Sequence, residues 1–188
     1  MPVIMTPRLI LRSWREEDAR ALFLIARDKR VGMSAGWKPH SSVKESLSVI
    51  NDVFSAPEVY ALVLRESGEI IGSAGLMTEY NSDIGLCRGD CEIGYWLGVP
   101  YWGQGYCTEA AKALISRAFT ELSMQRIFCN YFEGNYSSAR VAQKCGFTPH
   151  SIRKNVYYDA VGGARNEYVT CMTRQDWLFR KLKNNKKT

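Results

Sequence analysis

Hydrophobic residues follow two rhythms along this chain, and the switches between them mark its elements. RLILRSW, from Arg8, alternates like a strand. REEDARALFLIARD then brings Ala19, Leu22, Phe23 and Ala26 round at helical spacing. VGMSAGW, from Val31, keeps neither rhythm and reads as loop. SSVKESLSVINDVF places Val43, Leu47, Ile50 and Phe54 on one helical face, with Ser41 or Ser42 as cap and Glu45 set to complete a capping box from Ser42. VYALVLRE and EIIGSAGLMTEY, joined at Ser67-Gly68, read as a hairpin. A polar loop leads to the strand CEIGYWLGV. QGYCTEAAKALISRAFTEL is a helix with Ala111, Ile115, Phe119 and Leu122 along one side. RIFCNYF (strand), NYSSARVAQKC (helix), GFTPHSIRK (strand) and NEYVTCMTRQDWLFRKL (strand into helix) complete the chain. The pattern predicts about seven strands and four or five helices in one α/β domain.

At 188 residues, 46% of them hydrophobic and 23% charged, the chain suits a single soluble globular domain. No apolar run is long enough to span a membrane, and Arg8 and Arg12 interrupt the opening before a secretory signal can build. Six separated cysteines then fit a reducing cytoplasm. The formal charge is +6, but Arg180, Lys181, Lys183, Lys186 and Lys187 crowd the C-terminus; without those five, 20 basic residues face 19 acidic ones. The expected layout is a domain over residues 1–179 and a solvated basic tail over 180–188. A nearly neutral body argues against nucleic acid as partner.

The segment WGQGYCTEA sets Gly103 and Gly105 one residue apart, between a strand and a helix start. Unpaired N–H groups and the helix dipole make such a turn a phosphate cradle, although a tight turn needs glycine for its own sake. An ATP-type loop would follow Gly105 with Lys-Ser or Lys-Thr, and a dinucleotide fingerprint would put glycine where Thr108 stands. Neither pattern is present. Cys87 and Cys91 lack a second cysteine pair for zinc, so no metal is expected.

EIGYWLGVPYWGQGYCTEA followed by NYSSARVAQKCGF resembles the acyl-CoA-binding core of the GNAT superfamily of N-acetyltransferases. The opening TPRLILRSWREEDA and the closing YVTCMTRQDW resemble the branch that holds ribosomal-protein N-terminal acetyltransferases, so the likeness covers nearly the whole chain. It implies one mixed, mostly antiparallel sheet, splayed where acetyl-CoA binds. Backbone groups of Leu97, Gly98 and Val99 would follow the pantetheine arm. Amides of Gly103, Gln104, Gly105, Tyr106, Cys107 and Thr108 would hold the pyrophosphate. Pro100, where the superfamily often has Gln or Arg, is expected to end pairing where the strands part.

Transfer of acetyl to an amine needs a neutral amine, a held oxyanion and a proton for the leaving thiolate. The resemblance makes Glu92 the base, an acid inside an apolar strand; the same residue could instead be an edge acid facing solvent or an arginine. The superfamily's usual tyrosine acid falls on Ala142, so Ser138 is expected at the cofactor sulfur, with Asn135 on pantetheine or the loop and Tyr136 in reserve. Asn135 and Ser138 would also suit a helix cap. Cys107, with no histidine partner in its motif, reads as lining the turn. His40 and Trp37 lie where acceptor sites form in the family, or where a loop needs an anchor, and Trp96 and Trp102 read as packing. The expected reaction is direct attack by a primary amine on acetyl-CoA in a ternary complex. The acceptor is a protein N-terminal amine or, alternatively, a small molecule such as an antibiotic, polyamine or amino-acid analogue. A non-catalytic acyl-CoA-binding regulator is the reading from another class, and the resemblance allows a homodimer.

Overall fold

The computed structural model describes residues 1–158 and 162–185. Its strands are β1 (Ile4–Met5), β2 (Leu9–Ser13), β3 (Val59–Leu64), β4 (Ile70–Met77), β5 (Asp90–Leu97), β6 (Arg126–Phe132), β7 (Thr148–Tyr158) and β8 (Gly163–Thr173). The helices are α1 (Ala19–Ala26), α2 (Lys29–Ala35), α3 (Val43–Val49), α4 (Tyr106–Thr120), α5 (Tyr136–Cys145) and α6 (Arg174–Asn185). All eight strands form one sheet in the order β1-β2-β3-β4-β5-β6-β8-β7. The count exceeds the expected seven by the two-residue β1, too short to carry a rhythm.

Both faces of the sheet are covered around β3, which shows why its sequence reads as an unbroken apolar run. Tyr60 and Leu62 pack into the cluster beneath α4, with Ala110, Leu114, Ile115 and Phe119. Ala61 and Val63 face the other way, onto Trp14, Leu22 and Ala26 beside α1. Successive strand residues point to opposite faces, so a strand covered twice cannot alternate.

Several expectations need correction. The stretch read as loop is helix α2, and it is defined by its ends: the Asp28 carboxylate accepts from Arg30 N–H, and Gly36 closes the helix at φ 86°. Its short body, KRVGMSA, has too few apolar residues to make a stripe. The basic C-terminus is solvated but partly helical, because α6 runs to Asn185 and takes in Arg180, Lys181 and Lys183, all three exposed; Lys186 and Lys187 lie outside the described residues. The capping box is shifted as well. Ser42 Oγ accepts from Glu45 N–H at 3.1 Å, while the Glu45 carboxylate reaches Ser41 rather than Ser42.

The feature that positions the site is a split in the sheet. β4 pairs with β5 from Gly72–Leu97 to Met77–Glu92. On the other side β5 runs parallel to β6 for only three pairs, ending at Glu92–Phe128. Beyond Phe128, β6 continues against β8 as far as Phe132–Glu167. The strands therefore part at Glu92, not at Pro100, which instead sits in a 3₁₀ turn over Val99–Tyr101. Proline suits that place, since the first turn has no use for its missing N–H.

Candidate active site

At one end of the split lies the glycine turn. Gly103 and Gly105 hold φ 75° and 85°, and a Cβ on Gly103 would meet nothing within 4 Å. Glycine is required here by backbone conformation, not by crowding. Gly105 caps α4 without a side chain, and the first helical bond runs from Glu109 N–H to Gly105 O at 3.0 Å. Among the described residues, the N–H groups of Tyr106, Cys107 and Thr108 have no acceptor, and the turn is receptive to an anion.

An acid in the first turn would oppose that, but Glu109 is occupied. Thr6 Oγ1 and Arg8 N–H donate to one of its oxygens at 2.7 and 2.8 Å, and Arg8 Nε to the other at 2.7 Å. Burial alone would raise this carboxyl; the hydrogen bonds outweigh it and hold the group below the usual carboxylate range. Arg8 also donates to Gln104 O at 3.0 Å and lies 4.3 Å over the Tyr106 ring. Gln104 Nε2 donates back to Pro100 O at 2.8 Å and closes the turn. A groove of about 590 Å³ runs beside it, lined by Gly105, Thr108, Lys112 and Lys144 among others. Burial pushes the Cys107 thiol up to about 12, so it is protonated at neutral pH and is no nucleophile.

The corner between β5 and the turn is more engaged than expected. Leu97 O accepts from Trp102 Nε1 at 2.8 Å, and Gly98 N–H donates to Ile71 O at 2.9 Å. Gly98 O and Val99 O accept from Tyr101 and Trp102 N–H. Among the described residues, Val99 N–H is the donor left without a partner here.

Within the split, Asn135 Oδ1 accepts from Ser138 N–H at 3.1 Å, which caps α5, and Asn135 Nδ2 donates to Ser34 O at 3.2 Å, which ties α5 to α2. The Tyr95 hydroxyl stands 3.2 Å from Ser138 Oγ, donates to Ser138 O at 3.3 Å and lies 3.5 Å from Cys129 Sγ. One phenol thus joins β5, β6 and α5. Burial holds its pKa far above the usual tyrosine value, so it stays protonated. Tyr136 is 81% exposed and Ala142 is buried in the core.

At the last paired position of β5, Glu92 Oε2 accepts from Ser82 Oγ at 2.6 Å and Oε1 from Asn130 Nδ2 at 3.0 Å. Burial pushes its pKa up to about 7; the Ser82 bond works against the rise, Asp83 and Glu167 add to it, and Arg153 opposes it. Arg153 itself pairs with Glu167 at 2.7 Å and reaches Asp83 at 3.5 Å, and the Tyr158 hydroxyl donates to Glu167 at 2.9 Å. Glu92 is therefore half-buried and hydrogen-bonded to neutral groups, and among the described residues it makes no ion pair with arginine. Being three residues apart on one strand, Glu92 and Tyr95 approach the split from opposite faces. No hydrogen bond joins Glu92 to Ser138 among the described residues.

Trp37 packs edge-on against Trp96, ring centres 5.6 Å apart, and 5.4 Å from His40. His40 is buried with Nδ1 2.8 Å from Ser46 Oγ, and desolvation lowers its pKa. It anchors the loop ahead of α3. Sequence reasoning missed Tyr95, Ser82, Asn130 and Arg8. Tyr95 reads as one more strand aromatic, and the others act through partners up to 101 positions away.

The model of the acetyltransferase (GNAT) domain family matches residues 8–148. The uncharacterized N-acetyltransferase p20 of Bacillus licheniformis is 27% identical over 182 residues, covering 94% of this chain and 99% of that protein. A GNAT-family acetyltransferase from Bacillus anthracis superposes with a TM-score of 0.80 at 20% identity, over 93% of this chain and 99% of the other. A ribosomal-protein-S5-alanine acetyltransferase from Vibrio fischeri superposes with a TM-score of 0.71 at 20% identity, over 94% and 99%.

Proposed function

From its membership of the acetyltransferase (GNAT) domain family, which makes this chain an N-acetyltransferase using acetyl-CoA, we propose that it acetylates protein N-terminal amines, with Glu92 as base and Ser138 beside the cofactor sulfur. The observation that carries the assignment of roles is the split itself. An anion-receptive turn stands at one end and a half-buried carboxyl of raised pKa at the other.

In this reading the amides from Gly103 to Thr108 take the pyrophosphate, and Arg8 adds positive charge beside them. Lys112 and Lys144, in the adjoining groove, suit the rest of the nucleotide. Val99 N–H is the donor for the pantetheine arm, whose acyl end lies in the split between β5 and β6. The acceptor nitrogen attacks the thioester carbonyl while its surplus proton passes to Glu92, directly or through one water. The C–S bond then breaks, and the leaving thiolate is held by a hydrogen bond from the Ser138 hydroxyl, beside which the protonated Tyr95 phenol stands, until it takes up a proton from solvent. A protein N-terminus as acceptor is supported by the resemblance of both chain ends to the ribosomal branch. The V. fischeri structure of that name has the same fold.

The test is mass spectrometry of the protein with acetyl-CoA and a panel of short peptides with different free N-termini, polyamines and aminoglycosides, with thiol release followed in parallel. Acetylation of the peptide α-amine is expected. Acetylation confined to small amines would overturn the acceptor class. Tight acetyl-CoA binding with no transfer, unchanged in Glu92→Gln, would favour a regulator over an enzyme.

A further inference from the structure

Among the described residues, a single buried side-chain oxygen or nitrogen has no hydrogen-bond partner, and it is Asn130 Oδ1. Leaving an acceptor buried and unpaired costs stability, so such an atom asks for a reason. Its place supplies one. Asn130 lies on β6 two positions beyond Phe128, where pairing with β5 has stopped, and its amide crosses the opening to Glu92 on β5.

Both partners of the Glu92 carboxyl are arranged as donors, Ser82 Oγ to Oε2 and Asn130 Nδ2 to Oε1. That set fits the ionised carboxylate. Once the group is protonated it carries a donor of its own and needs an acceptor. Ser82 Oγ already faces Ile84 N–H at 3.4 Å. The charged groups around Glu92 are committed elsewhere: Arg153 to Glu167 and Asp83, and Glu167 also to Tyr158. Half a turn of the Asn130 amide exchanges Oδ1 with Nδ2 and brings the unpaired oxygen to the 3.0 Å position beside Oε1.

We infer that Asn130 is a positioning residue serving both protonation states of Glu92, donating through Nδ2 to the carboxylate and, after the amide flips, accepting through Oδ1 from the acid. The inference rests on the reading of Glu92 as base. In that step an N–H bond of the acceptor breaks and an O–H bond forms at Glu92 Oε1, and the flip gives the new proton a partner while moving only the two end atoms of the Asn130 amide. The proton later leaves Glu92 for solvent, and the amide flips back.

The experiment is a titration of the isotopically labelled full chain by NMR, following the Asn130 side-chain NH₂ and Cγ resonances from pH 5 to 9. Near pH 7 the hydrogen-bonded NH₂ shift is expected to vanish as pH falls while Cγ moves downfield, the sign of a carbonyl that has begun to accept; Glu92→Gln should abolish the transition. Flat resonances would overturn the inference, and so would a Cγ shift that moves upfield on acidification. Asn130→Leu, which neither donates nor accepts, should lower kcat by ~10-fold and move the acidic limb of the rate profile to higher pH, because the bond lost from the charged carboxylate is the stronger of the two, with the KM for acetyl-CoA unchanged. A limb left in place would count against the role. If the wild type acetylates nothing on the amine panel, the functional reading fails; the Asn130 titration, read on the free protein, is decided separately.

Discussion

The two ends of the split are built by opposite means. The turn from Gly103 to Thr108 is made of backbone: positive φ at two glycines and a helix start whose N–H groups face outward. Even its side chains are recruited to fix main chain, Arg8 on Gln104 O and Gln104 on Pro100 O. The Glu92 end is made of side chains from a loop and three further strands, namely Ser82, Asp83, Asn130, Arg153, Tyr158 and Glu167. A backbone site tolerates side-chain change and holds a group common to every reaction of the enzyme. A side-chain site can be retuned one residue at a time, and it is where a pKa is set.

That contrast can be broken from either end. The largest effect is expected at the side-chain end: Glu92→Gln should lower kcat/KM for the acceptor by about 10²–10⁴-fold while leaving acetyl-CoA affinity within a factor of two or so, as steady-state kinetics and calorimetry would read. Next comes the backbone end. Gly105→Val would force a β-branched residue to φ 85° and should raise the KM for acetyl-CoA by ~10-fold or more with the acceptor KM little changed. If Gly105→Val instead spoiled acceptor binding alone, the division between the two ends would be wrong. Tyr95→Phe should cost ~10-fold in kcat, with a larger loss for poorer leaving thiols.

The smallest effect is thermodynamic. The folded Glu92 pKa, near 7, lies above its unfolded value of about 4.5, so the protonated fold is favoured. That stability is full below pH 4.5 and is lost as pH rises through 7. Glu92→Gln should therefore be more stable than wild type by ~2 kcal/mol at pH 8 and equal to it at pH 4, by denaturant unfolding. Equal stability at both pH values would mean the carboxyl is not desolvated.

The same contrast explains what the sequence disclosed. Backbone devices are local, so Gly103 and Gly105, the Asn135 cap on α5 and the Ser42 cap on α3 are legible within a few residues. Helix α2 escaped because its caps carry the signal and its body does not. Pro100 misled by being the nearest residue that cannot pair, when β5 leaves β6 earlier, after Glu92–Phe128, while β6 stays paired with β8 along its whole length. Glu92 was visible as an acid in an apolar strand. Its environment was not: Asn130 is 38 positions away and Ser82 sits in a loop of no distinct pattern. Contacts of that kind exist only once the sheet has formed.

The central claim is that Glu92 is the base at the apex of the split. The most direct test is the pH dependence of kcat/KM for an N-terminal peptide acceptor in wild type and Glu92→Gln. The account predicts an acidic limb with an apparent pKa near 7 in wild type, distinct from that of the peptide amine, and its disappearance in Glu92→Gln. The same limb in both proteins would contradict it and move the base elsewhere.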